Sequence, residues 1–137
     1  MCSSDLRLAR DERPTVFGDD YPTPDGTCIR DYIHVLDLAE AHLAALDHLE
    51  TEERPVSVFN VGTGHGASVR EVISEIGTVS GLDVTADVAQ RRAGDPPQLV
   101  ASAERIERVL GWRARNGLPE IIASAWEAWQ AGPRRIG

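Results

Sequence analysis

Short apolar runs alternate with helix-period segments along this chain, and that alternation limits the fold more than any other feature. "TVF" at 15–17 and "YIHV" at 32–35 read as short strands on either side of "GDDYPTPDGTCIRD", a loop dense in prolines, glycines and turn-forming acids. From Asp37, the expected N-cap, Leu38, Ala41, Leu43, Ala44, Ala45, Leu46 and Leu49 recur at helical spacing to about Glu50. "VSVFNV" at 56–61, bounded by Pro55 and Gly62, reads as a buried strand. Ser68 and Glu71 form an S-x-x-E capping box for a helix that carries Val69, Val72, Ile73 and Ile76 on one face. "VTADV" at 84–88 is a weaker strand. Ser102 opens a helix through "ERIERVL" that Gly111 stops, and Pro119 sits in the first turn of a last helix through Trp126 and Trp129. Strands alternating with helices place the chain in the α/β class.

Its 137 residues suffice for one ordinary domain, or a piece of one. A net charge of −8 repels polyanions, so nucleic acids and anionic membranes are poor partners. The longest apolar stretches, "VLDLAEAHLAAL" and "EIIASAWEAW", are interrupted by charge, so neither spans a bilayer. "MCSSDLRLARDE" lacks the apolar core of a signal peptide. Cys2 and Cys28 form no metal-type pair, and the expected compartment is a reducing cytoplasm.

Two loops carry candidate chemistry. In "NVGTGHGASVREV", Gly62, Gly64 and Ala67 fit G-x-G-x-x-A between a strand and a helix, with Asp83 or Asp87 near where a ribose-binding acid would be wanted. The same glycines suit a tight structural turn. That reading is favoured, because polar Asn60 ends the strand and too few β-α units follow to finish a doubly wound sheet. In "QRRAGDPPQLV", glycine and two prolines restrain the backbone where Arg91, Arg92 and Asp95 project. Arginine's planar fork matches a phosphate, and a nearby aspartate can accept from ribose hydroxyls; a solvated surface turn is the plain alternative. Arg30 poses the same choice.

"FGDDYPTPDGTCIRDYIHVLDLAEAH", "VFNVGTGHGASVREV", "RRAGDPPQLVA" and "LGWRARNGLPEIIASAWEAWQ" together resemble, in order, the C-terminal part of the UDP-glucose 4-epimerase family over residues 13–131. The resemblance implies the C-terminal, UDP-sugar-binding part of an extended short-chain dehydrogenase/reductase of Rossmann type, with the N-terminal nucleotide-binding half missing. It further implies a cytoplasmic parent enzyme, a homodimer, that interconverts UDP-glucose and UDP-galactose by NAD-mediated oxidation and reduction at C4. The family's NAD loop and its Y-x-x-x-K base would lie outside this chain, since neither Tyr21 nor Tyr32 is followed by a lysine four residues on. No catalytic residue, no cofactor-binding residue and no metal ligand is expected here.

Carried over by position, the resemblance implies that Arg30 and Arg92 bind the UDP diphosphate and that Asp95 binds ribose hydroxyls. Thr15, Val16 and Phe17 would lie beside the uracil, and Tyr32 near the nucleotide. Leu99 falls where side-chain size limits room for the sugar's C2 substituent, leaving acceptance of N-acetylated hexoses open. Arg91 has no counterpart and is expected to matter little. Residues 1–6 are read as an artefact and 132–137 as a tail. His34, His42, His48 and His65 are read as structural or solvated, and Trp112, Trp126 and Trp129 as packing residues. A non-enzymatic nucleotide-sugar binding module and a free-standing dinucleotide-binding domain on Gly62, Gly64 and Ala67 are the alternative functions.

Overall fold

The computed structural model describes residues 13–51 and 58–132. The chain forms two compact units, one within Met1–Arg30 and Ala67–Leu99, the other within Asp31–Gly66 and Val100–Gly137. In chain order the elements are β1 (Thr15–Phe17), β2 (Ile29–Asp31), α1 (Val35–Thr51), β3 (Gly66–Ser68), α2 (Val69–Ser80), β4 (Asp87–Ala89), β5 (Gln98–Leu99), α3 (Glu104–Leu110) and α4 (Leu118–Gln130). The class is α/β, as the alternation indicates.

In the first unit β1 pairs in parallel with β4, Phe17 opposite Ala89. The ladder is closed by Asp87 N donating to Pro14 O and Gly18 N to Ala89 O, both at 2.9 Å. A three-stranded sheet has the order β3-β2-β5. Within it β2 and β5 run parallel, with Arg30 opposite Leu99. Parallel partners need a long crossover, which explains why each pair joins segments distant in sequence. The capping box on α2 forms as expected: Ser68 Oγ accepts from Glu71 N at 3.1 Å, and Glu71 Oε2 accepts from Ser68 N at 2.6 Å. Gly81 closes that helix in the left-handed conformation, φ 71°. Val72 and Ile76 are buried in this unit, with Val16 and Tyr21.

In the second unit α1 starts at Val35, two residues before its expected cap. Asp37 is not the N-cap: its buried carboxylate accepts from the amides of Arg115 (3.2 Å) and Asn116 (2.9 Å) and from Asn116 Nδ2 (2.9 Å). His34 takes the capping role, its Nδ1 accepting from Leu36 N at 3.1 Å. Its Nε2 therefore carries the proton and donates to Ser124 Oγ at 2.9 Å. The core of this unit is built on Ala41, Ile106 and Trp112. Leu43, Leu46 and Leu49 face outward instead, because α1 is apolar around much of its girth and periodicity alone does not choose its buried side.

Four further expectations are corrected. The strand expected at 32–35 lies at 29–31, where β5 supplies a ladder. The strand expected at 84–88 is confined to 87–89, opposite β1. Of "VSVFNV", residues 56 and 57 lie outside the described residues, and 58–61 form no strand; among the described residues nothing pairs with them. Helix α3 begins at Glu104 behind Ala103, so Ser102 does not open it, whereas Gly111 and Pro119 act as expected. Trp112 is a core residue, but Trp129 is half exposed and stacks on Trp126 with ring centroids 4.8 Å apart.

Candidate functional site

Because β1 and β4 are parallel, the loops after Phe17 and after Ala89 leave from the same end of the pair. Arg92, in the second loop, lays its guanidinium 3.9 Å from the centroid of the Phe17 ring, a cation–π contact. Among the described residues no carboxylate pairs with Arg92. Arg91 turns the other way. Its guanidinium lies 4.1 Å from the centroid of the Tyr21 ring and donates to both the side chain and the backbone carbonyl of Asp20. Gly18 permits this closeness: at φ 88°, a Cβ there would sit 2.4 Å from Arg91 Cγ. Arg91, expected to matter little, therefore ties the two loops together.

Arg30 projects from β2 toward the loop that precedes β5. Its Nη2 donates to the Asp95 carboxylate and, at 2.9 Å, to Pro96 O, while Nη1 donates to Ile29 O at 2.7 Å. Asp95 N in turn donates to Arg92 O at 3.3 Å, across the turn that Gly94 allows at φ 80°. Pro97 lacks an N–H but offers its carbonyl to Ile29 N at 2.8 Å. Arg30, Asp95, Arg92 and Phe17 thus form a continuous chain of contacts. Leu99 joins it through the β2–β5 register and is 62% exposed. All seven expected ligand residues fall in the first unit. Val16 is buried, so only its backbone is available; Thr15 is half-buried beside it. Tyr32 belongs to the second unit and is half-buried.

The glycine-rich loop holds something else. The Asp31 carboxylate accepts from Thr63 N (2.9 Å), Thr63 Oγ1 (2.6 Å), Gly64 N (3.1 Å) and Ala101 N (3.2 Å). A Cβ at Gly62 would lie 2.5 Å from Asp31 Oδ2, which is why that residue is glycine. Amides of a kind that could cradle a pyrophosphate are used here by an internal carboxylate. These amides are therefore not free for the pyrophosphate that the dinucleotide-binding alternative needs, and Asp87, one candidate ribose acid of that reading, lies 3.8 Å from Arg13.

The sequence singles out Arg30 and gives Asp31, its neighbour in "RD", no role. Nor does it mark Asp25, which pins the proline-rich loop to α2. Asp25 accepts from Thr27 N at 2.9 Å, from Thr27 Oγ1 at 2.8 Å and from Ser68 Oγ. Burial pushes the Asp25 carboxyl up, but these hydrogen bonds and the nearby charge of Arg70 outweigh it and hold it below the ordinary carboxylate value. Among the described residues no group of three or more His, Cys, Asp or Glu could hold a metal ion, and no helix is long and apolar enough to cross a membrane.

Residues 6–125 match the family described as GDP-mannose 4,6 dehydratase. The chain is 54% identical over 123 residues to UDP-glucose 4-epimerase of Azospirillum brasilense, which covers 88% of this chain and 35% of that protein. It is 48% identical over 122 residues to UDP-glucose 4-epimerase of Halalkalibacterium halodurans, covering 88% of this chain and 36% of that protein. The crystal structure of UDP-glucose 4-epimerase from Bifidobacterium longum in complex with NAD+ and UDP superposes with a TM-score of 0.87 at 39% identity, over 95% of this chain and 38% of that one. The chain therefore spans about a third of the length of the curated relatives it matches, and its fold is part of a Rossmann-type α/β architecture.

Proposed function

The chain belongs to the family described as GDP-mannose 4,6 dehydratase, and we propose that it is the UDP-sugar-binding C-terminal part of a UDP-glucose 4-epimerase. The observation that carries this reading is the convergence, inside one compact unit, of Phe17, Arg30, Arg92 and Asp95 through direct contacts. The naming of the relatives and the UDP held by the Bifidobacterium longum enzyme support it.

Each residue then has a role its chemistry suits. Arg30 and Arg92 hold the diphosphate through charge-assisted hydrogen bonds, each worth roughly 1.5 to 3 kcal/mol. Asp95 accepts from the ribose hydroxyls. Phe17, with the backbone of Thr15 and Val16, borders the uracil, and exposed Leu99 borders the sugar at C2. Arg92 rests on Phe17, so the aromatic ring fixes a cation whose charge the described carboxylates leave uncancelled.

NAD would supply hydride transfer at C4 in the parent enzyme. In the glycine-rich loop the amides of Thr63 and Gly64 donate to Asp31 and so are not offered to the pyrophosphate of NAD. The sequence contains no lysine, so a Y-x-x-x-K base must come from elsewhere in the parent. What this chain contributes is binding and orientation of UDP-glucose or UDP-galactose. A reducing cytoplasm and a homodimeric parent complete the proposal.

The test is a chimera in which this chain replaces the matching third of the Azospirillum brasilense enzyme, assayed for conversion of UDP-galactose to UDP-glucose. Turnover is expected. A folded chimera that binds NAD yet neither binds UDP nor turns over either sugar nucleotide would sink the proposal.

A further inference from the structure

Arg30 is engaged on every face that could grip a phosphate with two prongs. A guanidinium presents two such faces, Nε–H with an Nη2–H and Nη1–H with the other Nη2–H, and both require Nη2. Nη2 already donates to two acceptors, the Asp95 carboxylate and, at 2.9 Å, Pro96 O. The donors that remain, Nε–H and one on Nη1, share no edge.

The Arg30–Asp95 pair is also partly withdrawn from water, with side chains 22% and 27% exposed. It therefore holds more firmly than an open surface pair. Asp95 is kept in place by its own backbone, whose N–H donates to Arg92 O at 3.3 Å ahead of two consecutive prolines.

We infer that Asp95 is an internal competitor for the ligand's anion: Arg30 takes a diphosphate with two prongs only by exchanging the Asp95 carboxylate for phosphate oxygens. The exchange rests on the reading of this site as a diphosphate site. No bond is made or broken covalently; one charge-assisted pair replaces another, and the displaced carboxylate becomes free to accept from hydroxyl donors. Asp95 thus sets selectivity as well as affinity. Toward a bare diphosphate it only opposes binding. Toward a ligand that also carries a ribose, it opposes through Arg30 and repays part of that cost through the hydroxyls.

The experiment is calorimetric titration of the 137-residue chain with inorganic diphosphate and, separately, with UDP. It compares wild type, Asp95→Asn, Arg30→Ala and the double variant, with Asp95→Ala in parallel so that the result does not hang on the folding of one substitution. Asp95→Asn is expected to bind inorganic diphosphate roughly three- to ten-fold tighter than wild type. That gain should vanish in the Arg30→Ala background, and the gain for UDP should be smaller or reversed. No gain, or an equal gain without Arg30, overturns the exchange, since the second result would be a plain field effect. If UDP does not bind but the Arg30-dependent gain for inorganic diphosphate is seen, the nucleotide reading falls and the exchange stands. Arg30-dependent UDP binding with no gain in Asp95→Asn does the reverse. Failure of every variant to bind either ligand overturns both.

Discussion

Three acids, Asp25 and Asp31 in "DGTCIRD" and Asp95 in "RRAGDPPQLV", show how a side chain's partners decide its role. Asp31 accepts four hydrogen bonds, which leaves it little capacity for a ligand and makes it a structural clamp. Asp95, with one arginine, keeps exchangeable capacity. Asp25 is the one whose titration matters to stability. Its pKa is depressed in the folded chain, so the unfolded state binds its proton more readily. The contribution of Asp25 is fully present above the ordinary carboxylate value of 3.8 and is lost as pH falls below it through the lower folded value. Urea midpoints measured across that window should therefore fall more steeply with acid in wild type than in Asp25→Asn. Parallel curves would show that Asp25 carries no such linkage. The roles of Asp25 and Asp31 were not legible in the sequence, because their partners include residues dozens of positions away.

At the scale of elements, some local signals hold and others do not: neither Asp37 nor Ser102 caps its helix, whereas three others act as expected. The S-x-x-E box of α2, the glycine stop of α3 and the proline start of α4 each depend on residues within one turn, and each forms where expected. Strands fared worse, since a three-residue strand exists only where a distant neighbour supplies its ladder. β5 went unread for that reason. Helix α1 forms where expected, and of its named apolar residues Ala41 faces the core, while Leu43 and Leu46 stand 62% and 53% exposed, as do Val35 (70%) and Leu36 (62%). Leu36, Leu43 and Leu46 fall at spacings of seven and three and share one side of the helix. So much apolar surface on one side of a helix favours association in water. The chain should bind an apolar fluorescent dye and self-associate, and Leu43→Glu with Leu46→Glu should reduce both while leaving far-ultraviolet circular dichroism unchanged. Dye binding and sedimentation unaffected by the double substitution would show that this face is not the sticky one.

For the molecule as a whole, a net charge of −8 opposes the approach of a dianion, yet the first unit gathers Arg30, Arg91 and Arg92 around two adjoining loops. Local charge, not the total, decides what binds at contact distance. The candidate site was legible in part. The residues expected from the resemblance to lie together do so in one unit, but the pairing of Arg30 with Asp95, the seat of Arg92 on Phe17 and the tie made by Arg91 join loops distant in sequence and leave no local pattern. The most direct test of the account is calorimetric titration of UDP into the wild-type chain, Arg30→Ala and Arg92→Ala. The account predicts saturable UDP binding by wild type and roughly ten- to a hundred-fold weaker binding by each variant, the loss of one charge-assisted contact of about 1.5 to 3 kcal/mol. Wild-type affinity retained in Arg30→Ala, or in Arg92→Ala, would contradict it.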